Sequence, residues 1–181
     1  MTLGSIALVL LIAAPAVAPD ADEPADAGLR QARGYMNLSP LGFGLVPGYT
    51  SYVWGVDAGY HIPIKRRFAV QVGAFFDHHV LSGSGHYLGF GPQLRVGGGS
   101  GAVYGYGLVS VAATLGVEAI HGGRDTYWFA RPTLGGGVLG RVHRHVTLGV
   151  EPTLDLFVDR GYFGTIVAPY FRLRAFVGFL F

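Results

Sequence analysis

From residue 34 onward the chain alternates apolar side chains with small or polar ones at every second position, in short segments separated by turn-forming clusters. That period predicts strands with one greasy face and one small or polar face. The second segment sets Tyr52, Trp54, Val56, Ala58, Tyr60 and Ile62 against Val53, Gly55, Asp57, Gly59 and His61. The third sets Phe68, Val70, Val72, Ala74 and Phe76 against Ala69, Gln71, Gly73, Phe75 and Asp77. The fourth (Leu88, Phe90, Pro92, Leu94, Val96 against Tyr87, Gly89, Gly91, Gln93, Arg95) and the seventh (Val146, Leu148, Val150, Pro152, Leu154, Leu156 against Thr147, Gly149, Glu151, Thr153, Asp155) repeat the pattern. Noisier segments at 35–45, 103–114 and 128–142, with a final one running to the last residue, bring the expected count to about eight.

The connections are expected to alternate in length. Short turns fall at 64–67, 97–102 and 143–145, and longer polar loops at 77–85, 116–126 and 159–164, with a short exception at 47–51. An even number of strands joined by short turns at one end and longer loops at the other is the layout of a membrane barrel.

Composition sharpens this picture. Charged residues make up 13% of the chain, aromatics another 13%, and there are 30 glycines. A mean hydropathy of +0.40 also fits helical spans, but those need roughly 20 apolar residues each. Only two stretches approach that length. Residues 96–117 are uncharged but too rich in Gly and aromatic residues for a stable helix. Residues 2–18 are an apolar run ending in Ala16-Val17-Ala18, the small-x-small pattern of a cleavable export signal; no Lys or Arg precedes the run, which keeps an uncleaved helical anchor as the alternative. The expected organisation is therefore a signal peptide (1–18), an acidic, Ala- and Pro-rich flexible linker (19–33) that cannot bury a core, and a β-barrel (34–181).

The chain has no Cys, which excludes disulfides, thiolate metal sites and a lipid anchor on a cysteine. The net charge of +2 leaves no basic surface for nucleic acid. No cofactor or metal is expected.

A period-two apolar face fits a sandwich core, a barrel with grease inside, or a barrel with grease outside. Three features point to the last. Aromatics flank the apolar runs at both ends, as Tyr52 and Trp54 do against Tyr60, or Phe68 against Phe76, which suits girdles at two membrane interfaces. The opposite face carries sparse charges of balanced sign: Arg95, Arg131, Arg172 and Arg174 with Asp57, Asp77, Glu151 and Asp155. In a narrow lumen such charges persist only when paired, so these eight residues are expected to interlock and plug the barrel. Finally, Phe171, Leu173, Ala175, Val177, Phe179 and Phe181 alternate against Tyr170, Arg172, Arg174, Phe176, Gly178 and Leu180 up to the last residue.

This ending resembles the carboxy-terminal insertion signal of outer-membrane barrels, in which a terminal aromatic and every second residue before it are read by the barrel-assembly machinery. Residues 34–181 resemble, in length and layout, the small eight-stranded barrels of the OmpA and OmpX type. The resemblance implies an all-β fold, a closed antiparallel transmembrane β-barrel in the outer membrane of a Gram-negative bacterium, in contact with outer-membrane lipid and lipopolysaccharide. One departure stands out. Pro92, Pro132, Pro152 and Pro169 fall within expected strands on the outward face, where each lacks a ladder N–H.

Three readings of function follow. The first is a structural or surface-interaction role with a plugged lumen and no catalysis. The second is a lipid-modifying enzyme built from Asp77, His78, His79, Ser82, Ser84 and His86 at the second long loop. The third is a narrow solute channel. The first is preferred, because loops of this kind are commonly rich in Ser, Gly and His, and a diffusion pore normally needs more strands. His143-Arg144-His145 and Lys65-Arg66-Arg67 read as solvated turns, and Tyr104, Tyr106, Tyr127 and Trp128 as interface aromatics.

Overall fold

A strand in hydrocarbon must hydrogen-bond on both edges, and a sheet with free edges cannot do so. This chain meets the requirement by closure. In the computed structural model eight strands follow in chain order: β1 (Arg33–Val46), β2 (Tyr49–Lys65), β3 (Phe68–Leu81), β4 (Gly85–Gly99), β5 (Val103–Ile120), β6 (Gly123–His143), β7 (Val146–Gly161) and β8 (Gly164–Leu180). Each pairs antiparallel with the next, and β8 returns to β1 to complete a closed barrel. The structure describes residues 33–46, 49–65, 68–82, 85–99, 102–120, 123–161 and 164–181. At 46, 49, 65, 119–120, 123, 159–161 and 164–166 the description is of backbone only. The expected signal peptide and all of the expected linker but Arg33 lie outside these residues.

The apolar face points outward. Leu45, Tyr60, Val72, Phe90, Val111, Trp128, Leu134 and Phe171 are exposed, while the alternate positions are buried in the lumen. The first strand reads noisily in sequence because it carries a bulge: its register shifts between Ser39 and Gly42 against β2 and between Leu38 and Leu41 against β8. One extra residue flips the parity. Met36 and Leu38 therefore face out before the bulge, and Phe43 and Leu45 after it.

Two expectations are corrected. The loops at 77–85, 116–126 and 159–164 are mostly strand, since β3 runs to Leu81, β5 to Ile120 and β7 to Gly161. In these stretches polar residues take both faces, as Asp77 and His79 do inside and His78 outside, so the apolar alternation fades while the hydrogen-bonded ladder continues. Tyr104, Tyr106 and Tyr127 are not interface aromatics either. Tyr104 and Tyr106 are buried inside the barrel, and Tyr127 faces inward against Phe129; of the four, Trp128 alone is outward, at 61% exposure.

Pro40 and Pro63 sit at register shifts, whereas Pro92, Pro132, Pro152 and Pro169 do not coincide with bulges. The β4–β5 ladder is interrupted between Phe90↔Ala113 and Gln93↔Ser110, beside Pro92, and resumes in the same register. The β6–β7 ladder is interrupted likewise between Ala130↔Val158 and Thr133↔Asp155, beside Pro132, and between Gly135↔Thr153 and Val138↔Val150, beside Pro152. Pro169 lies beyond Leu45↔Phe171, where the β1–β8 ladder has ended. Each proline thus removes a donor from one ladder while the pairing on its other side stays intact.

Candidate functional site

The lumen is layered. Nearest the termini, Tyr104 and Tyr106 stack at 5.8 Å and pack with Ala69 and Leu108. Beside them a cavity of about 20 Å³, lined by residues including Tyr35, Asn37, His61, Gln71 and Thr147, has room for a single water.

Next along the axis lies a ring of four charges. Arg95, on β4, bonds Asp57 of β2 at 2.6 Å and Glu151 of β7 at 3.0 Å. Arg174, on β8, bonds the same Glu151 at 2.6 Å and the same Asp57 at 3.3 Å. Each cation therefore lies between both anions. Neutral donors satisfy the remaining lone pairs: Gln93 donates to Asp57 at 2.7 Å, Asn37 to Asp57 at 3.0 Å, and Tyr106 to Glu151 at 2.8 Å. The Arg95 guanidinium also sits among the rings of Tyr106, Tyr35 and Phe176, at 5.2, 5.9 and 5.9 Å, a cation–π environment that compensates for lost water.

A second ring follows. Arg131 of β6 holds Asp77 of β3 through a fork of 2.5 and 2.7 Å and lies 3.6 Å from Asp155 of β7. Arg172 of β8 reaches Asp77 at 2.6 Å and Asp155 at 3.4 Å. Thr133 donates to Asp155 at 2.7 Å, and Arg172 Nε donates to Thr153 at 3.0 Å. Room for this ring depends on Gly89, where a Cβ would stand 2.4 Å from Arg131 Nη2 and 2.5 Å from Asp77 Oδ1.

All eight charged residues singled out in the sequence are buried, and each ring carries two cations and two anions. Bare charges cost several kcal/mol each to strip of water, and mutual pairing offsets that cost, with Arg131 Nε and Asp155 Oδ2 the two ring atoms left without a hydrogen-bond partner. Sequence alone did not pick out Asn37, Gln93, Tyr106, Thr133 or Thr153. Gln93 and Thr153 lie two residues from Arg95 and from Asp155 on the same face, a signal that period two already held. Asn37 was hidden by the β1 bulge and Tyr106 by its assignment to the membrane interface.

Beyond the second ring, Tyr87, Phe129, Phe157 and Tyr170 pack with centroids 5.2–5.4 Å apart. The hydroxyls of Tyr87 and Tyr127 both donate to Glu118 Oε1. The residues weighed as a catalytic rim cluster divide here between two faces. Asp77 and His79 point inward. Arg131 donates to His79 Nε2, so the neutral imidazole carries its proton on Nδ1 and donates it to Tyr170 at 3.1 Å; Tyr170 in turn is bonded to Ser51. His78 and His86 point outward, Ser82 Oγ accepts from the Thr50 backbone at 3.1 Å, and Ser84 lies outside the described residues. Among the described residues no group of three metal-ligating side chains converges. His143 flanks and His145 falls within the tight turn between β6 and β7, with ring centroids 6.3 Å apart.

The six residues read as an insertion signal lie along one face of β8. Phe171, Leu173 and Phe179 are exposed there, Ala175 and Val177 half-buried, and the Phe181 side chain lies over Gly34 at 73% exposure while its N–H bonds the Gly34 carbonyl at 3.0 Å.

No protein-family model matches the sequence, and no curated protein does. Solved structures do. Neisserial surface protein A superposes with a TM-score of 0.62 at 11% identity, over 83% of this chain and 96% of its own. Ail, the attachment invasion locus protein of Yersinia pestis, gives 0.59 at 11% identity, over 84% and 99%. The outer membrane enzyme PagL gives 0.55 at 8% identity, over 82% and 98%. Identities this low carry the fold and nothing finer. An all-β ring of eight antiparallel strands, apolar outside and charged within, matches these barrels over nearly their whole length: the chain has the fold of the small eight-stranded outer-membrane β-barrels.

Proposed function

We propose that this chain is an integral outer-membrane barrel of a Gram-negative envelope, plugged by its own ion pairs and working as a structural or surface-contact component, not as an enzyme or a pore. The observation that carries this reading is the pair of neutral four-charge rings spanning the lumen, with aromatic layers on either side. Conduction would require each ring to exchange internal ion pairs for contacts with water or a permeant ion, at a cost of several kcal/mol. In this reading a signal at 1–18 exports the chain, and the barrel-assembly machinery recognises the β8 face ending in Phe181. The termini face the periplasm. The far strand ends meet lipopolysaccharide and the outside.

The likeness to PagL keeps the enzyme as the second reading, and the rim geometry weighs against it. Asp77 and His79 are committed to Arg131 and Tyr170, on the opposite face from His78 and His86. The test pairs gel mobility of the detergent-refolded protein, boiled and unboiled, with a planar-bilayer conductance trace. A heat-modifiable band without conductance is the expected result. Steady conductance would replace the plug with a channel, and an unchanged band would remove the barrel from the membrane.

A further inference from the structure

The outward face carries a polar feature that the plugged barrel does not use. Trp54 on β2, His78 on β3 and His86 on β4 form a row across three neighbouring strands. Trp54 Nε1 lies 3.0 Å from His78 Nδ1, and His78 Nε2 lies 3.1 Å from His86 Nδ1, the two imidazoles meeting edge to edge with centroids 5.3 Å apart and planes 22° from parallel. Indole N–H can only donate, and that fixes the direction of the row. His78 accepts on Nδ1, so its neutral ring carries the proton on Nε2 and donates to His86 Nδ1. His86 then carries its own proton on Nε2, which has no partner among the described residues. Hydrogen bonds that all run one way polarise one another, and the chain ends in a strengthened donor on exposed His86. The same direction disfavours a metal: ligation through His78 Nε2 would require an imidazolate while Trp54 still donates to Nδ1.

The row sits at a defined depth. From Phe68 in the girdle near the termini to His78, β3 advances ten residues. At about 3.4 Å per residue and a tilt of about 40°, this rises about 26 Å. The apolar band of such barrels is about 25 Å tall. Trp54 and Phe76, with centroids 5.7 Å apart, mark the upper girdle, and His86 stands at the level of headgroups just above it.

We infer that the Trp54–His78–His86 row is a binding site for the phosphate of an outer-leaflet lipid headgroup, held by the His86 Nε2 donor while the acyl chains lie on the adjacent apolar face. The inference rests on the proposed orientation, with the termini in the periplasm. Phosphate is the fitting chemistry because it is a strong acceptor able to share the imidazole proton, and the surrounding aromatic face suits a lipid better than a free ion.

The test is native mass spectrometry of the detergent-refolded full chain with diphosphoryl lipid A and with the same lipid stripped of its phosphates. Wild type is expected to retain the phosphorylated form about tenfold better, the size of one charge-assisted hydrogen bond. His86→Phe should abolish that preference. Trp54→Phe keeps the ring and removes the N–H, and should weaken the preference several-fold. No preference in wild type, or an unchanged one in His86→Phe, overturns the site. If inorganic phosphate alone shifts the His86 Nε2 resonance and the lipid does not, the lipid assignment is overturned in favour of the free anion. Heat-modifiable mobility of each variant confirms folding. A conducting barrel that still prefers the phosphorylated lipid would refute the plug and keep the site, whereas a closed barrel with no preference would refute the site alone.

Discussion

Replacing Arg172 with Met deletes one corner of the second ring. The change removes the 2.6 Å bond to Asp77, the 3.4 Å contact to Asp155 and the 3.0 Å bond to Thr153, while methionine fills similar volume. The two carboxylates are affected unequally. Asp77 keeps the Arg131 fork at 2.5 and 2.7 Å. Asp155 is left with Arg131 at 3.6 Å and the Thr133 hydroxyl at 2.7 Å. The lumen gains one uncompensated negative charge, centred on Asp155 and removed from solvent. Breaking a buried pair in this way typically costs about 3–5 kcal/mol, or two to three and a half orders of magnitude in the unfolding constant at about 1.4 kcal/mol per tenfold. Urea unfolding in detergent micelles, followed by the heat-modifiable band and by fluorescence of Trp54 and Trp128, measures it. Arg144→Met, at an exposed turn, should cost less than about 0.5 kcal/mol. Adding Asp155→Asn to Arg172→Met neutralises the orphaned charge and should recover more than half of the loss. Equal effects of Arg172→Met and Arg144→Met, or a double variant no more stable than the single one, would refute the ring as the source of stability.

Three further outcomes are expected. Val72 lies mid-strand on the lipid face and Val103 at the end of β5 nearest the termini, both half exposed; Val72→Arg should cost about 2–4 kcal/mol and Val103→Arg about 0–1 kcal/mol, compared by refolding into vesicles. Gly89→Ala pushes a methyl against Arg131 and Asp77 and should destabilise by about 1–3 kcal/mol in the same urea assay, and a neutral effect would mean that the ring has slack. Phe181→Ala preserves the backbone bond to Gly34 and should leave spontaneous refolding in detergent unchanged while slowing insertion into membranes that contain the assembly machinery.

The sequence by itself determined everything that follows from period two. A strand shows successive side chains to opposite faces, so the greasy outside, the charged inside and the identities of the eight lumen charges were readable one strand at a time. Reading failed where that rule is locally broken or no longer matters. At the β1 bulge one extra residue near Pro40 flips the parity and conceals Asn37. Toward Leu81 and Ile120 polar residues such as Asp77, His78, His79 and Glu118 enter both faces, which erases the alternation while the ladder continues. In β5 aromatics occupy the lumen, because a barrel interior needs bulk as well as charge, and Tyr104 and Tyr106 therefore read as interface residues.

Only the tertiary structure decided which charge meets which. Asp57, Arg95, Glu151 and Arg174 come from β2, β4, β7 and β8, and Asp77, Arg131, Asp155 and Arg172 from β3, β6, β7 and β8. Neither set is contiguous in sequence. The register between strands and the closure of β8 on β1 bring them to common heights, and pairing in a lumen depends on height around the barrel, a quantity no single strand contains. The Trp54–His78–His86 row has the same origin. Its members sit on three strands, and it exists because Trp54 pairs with His78 and His78 with Leu88, which sets two imidazoles and an indole side by side on the outer face.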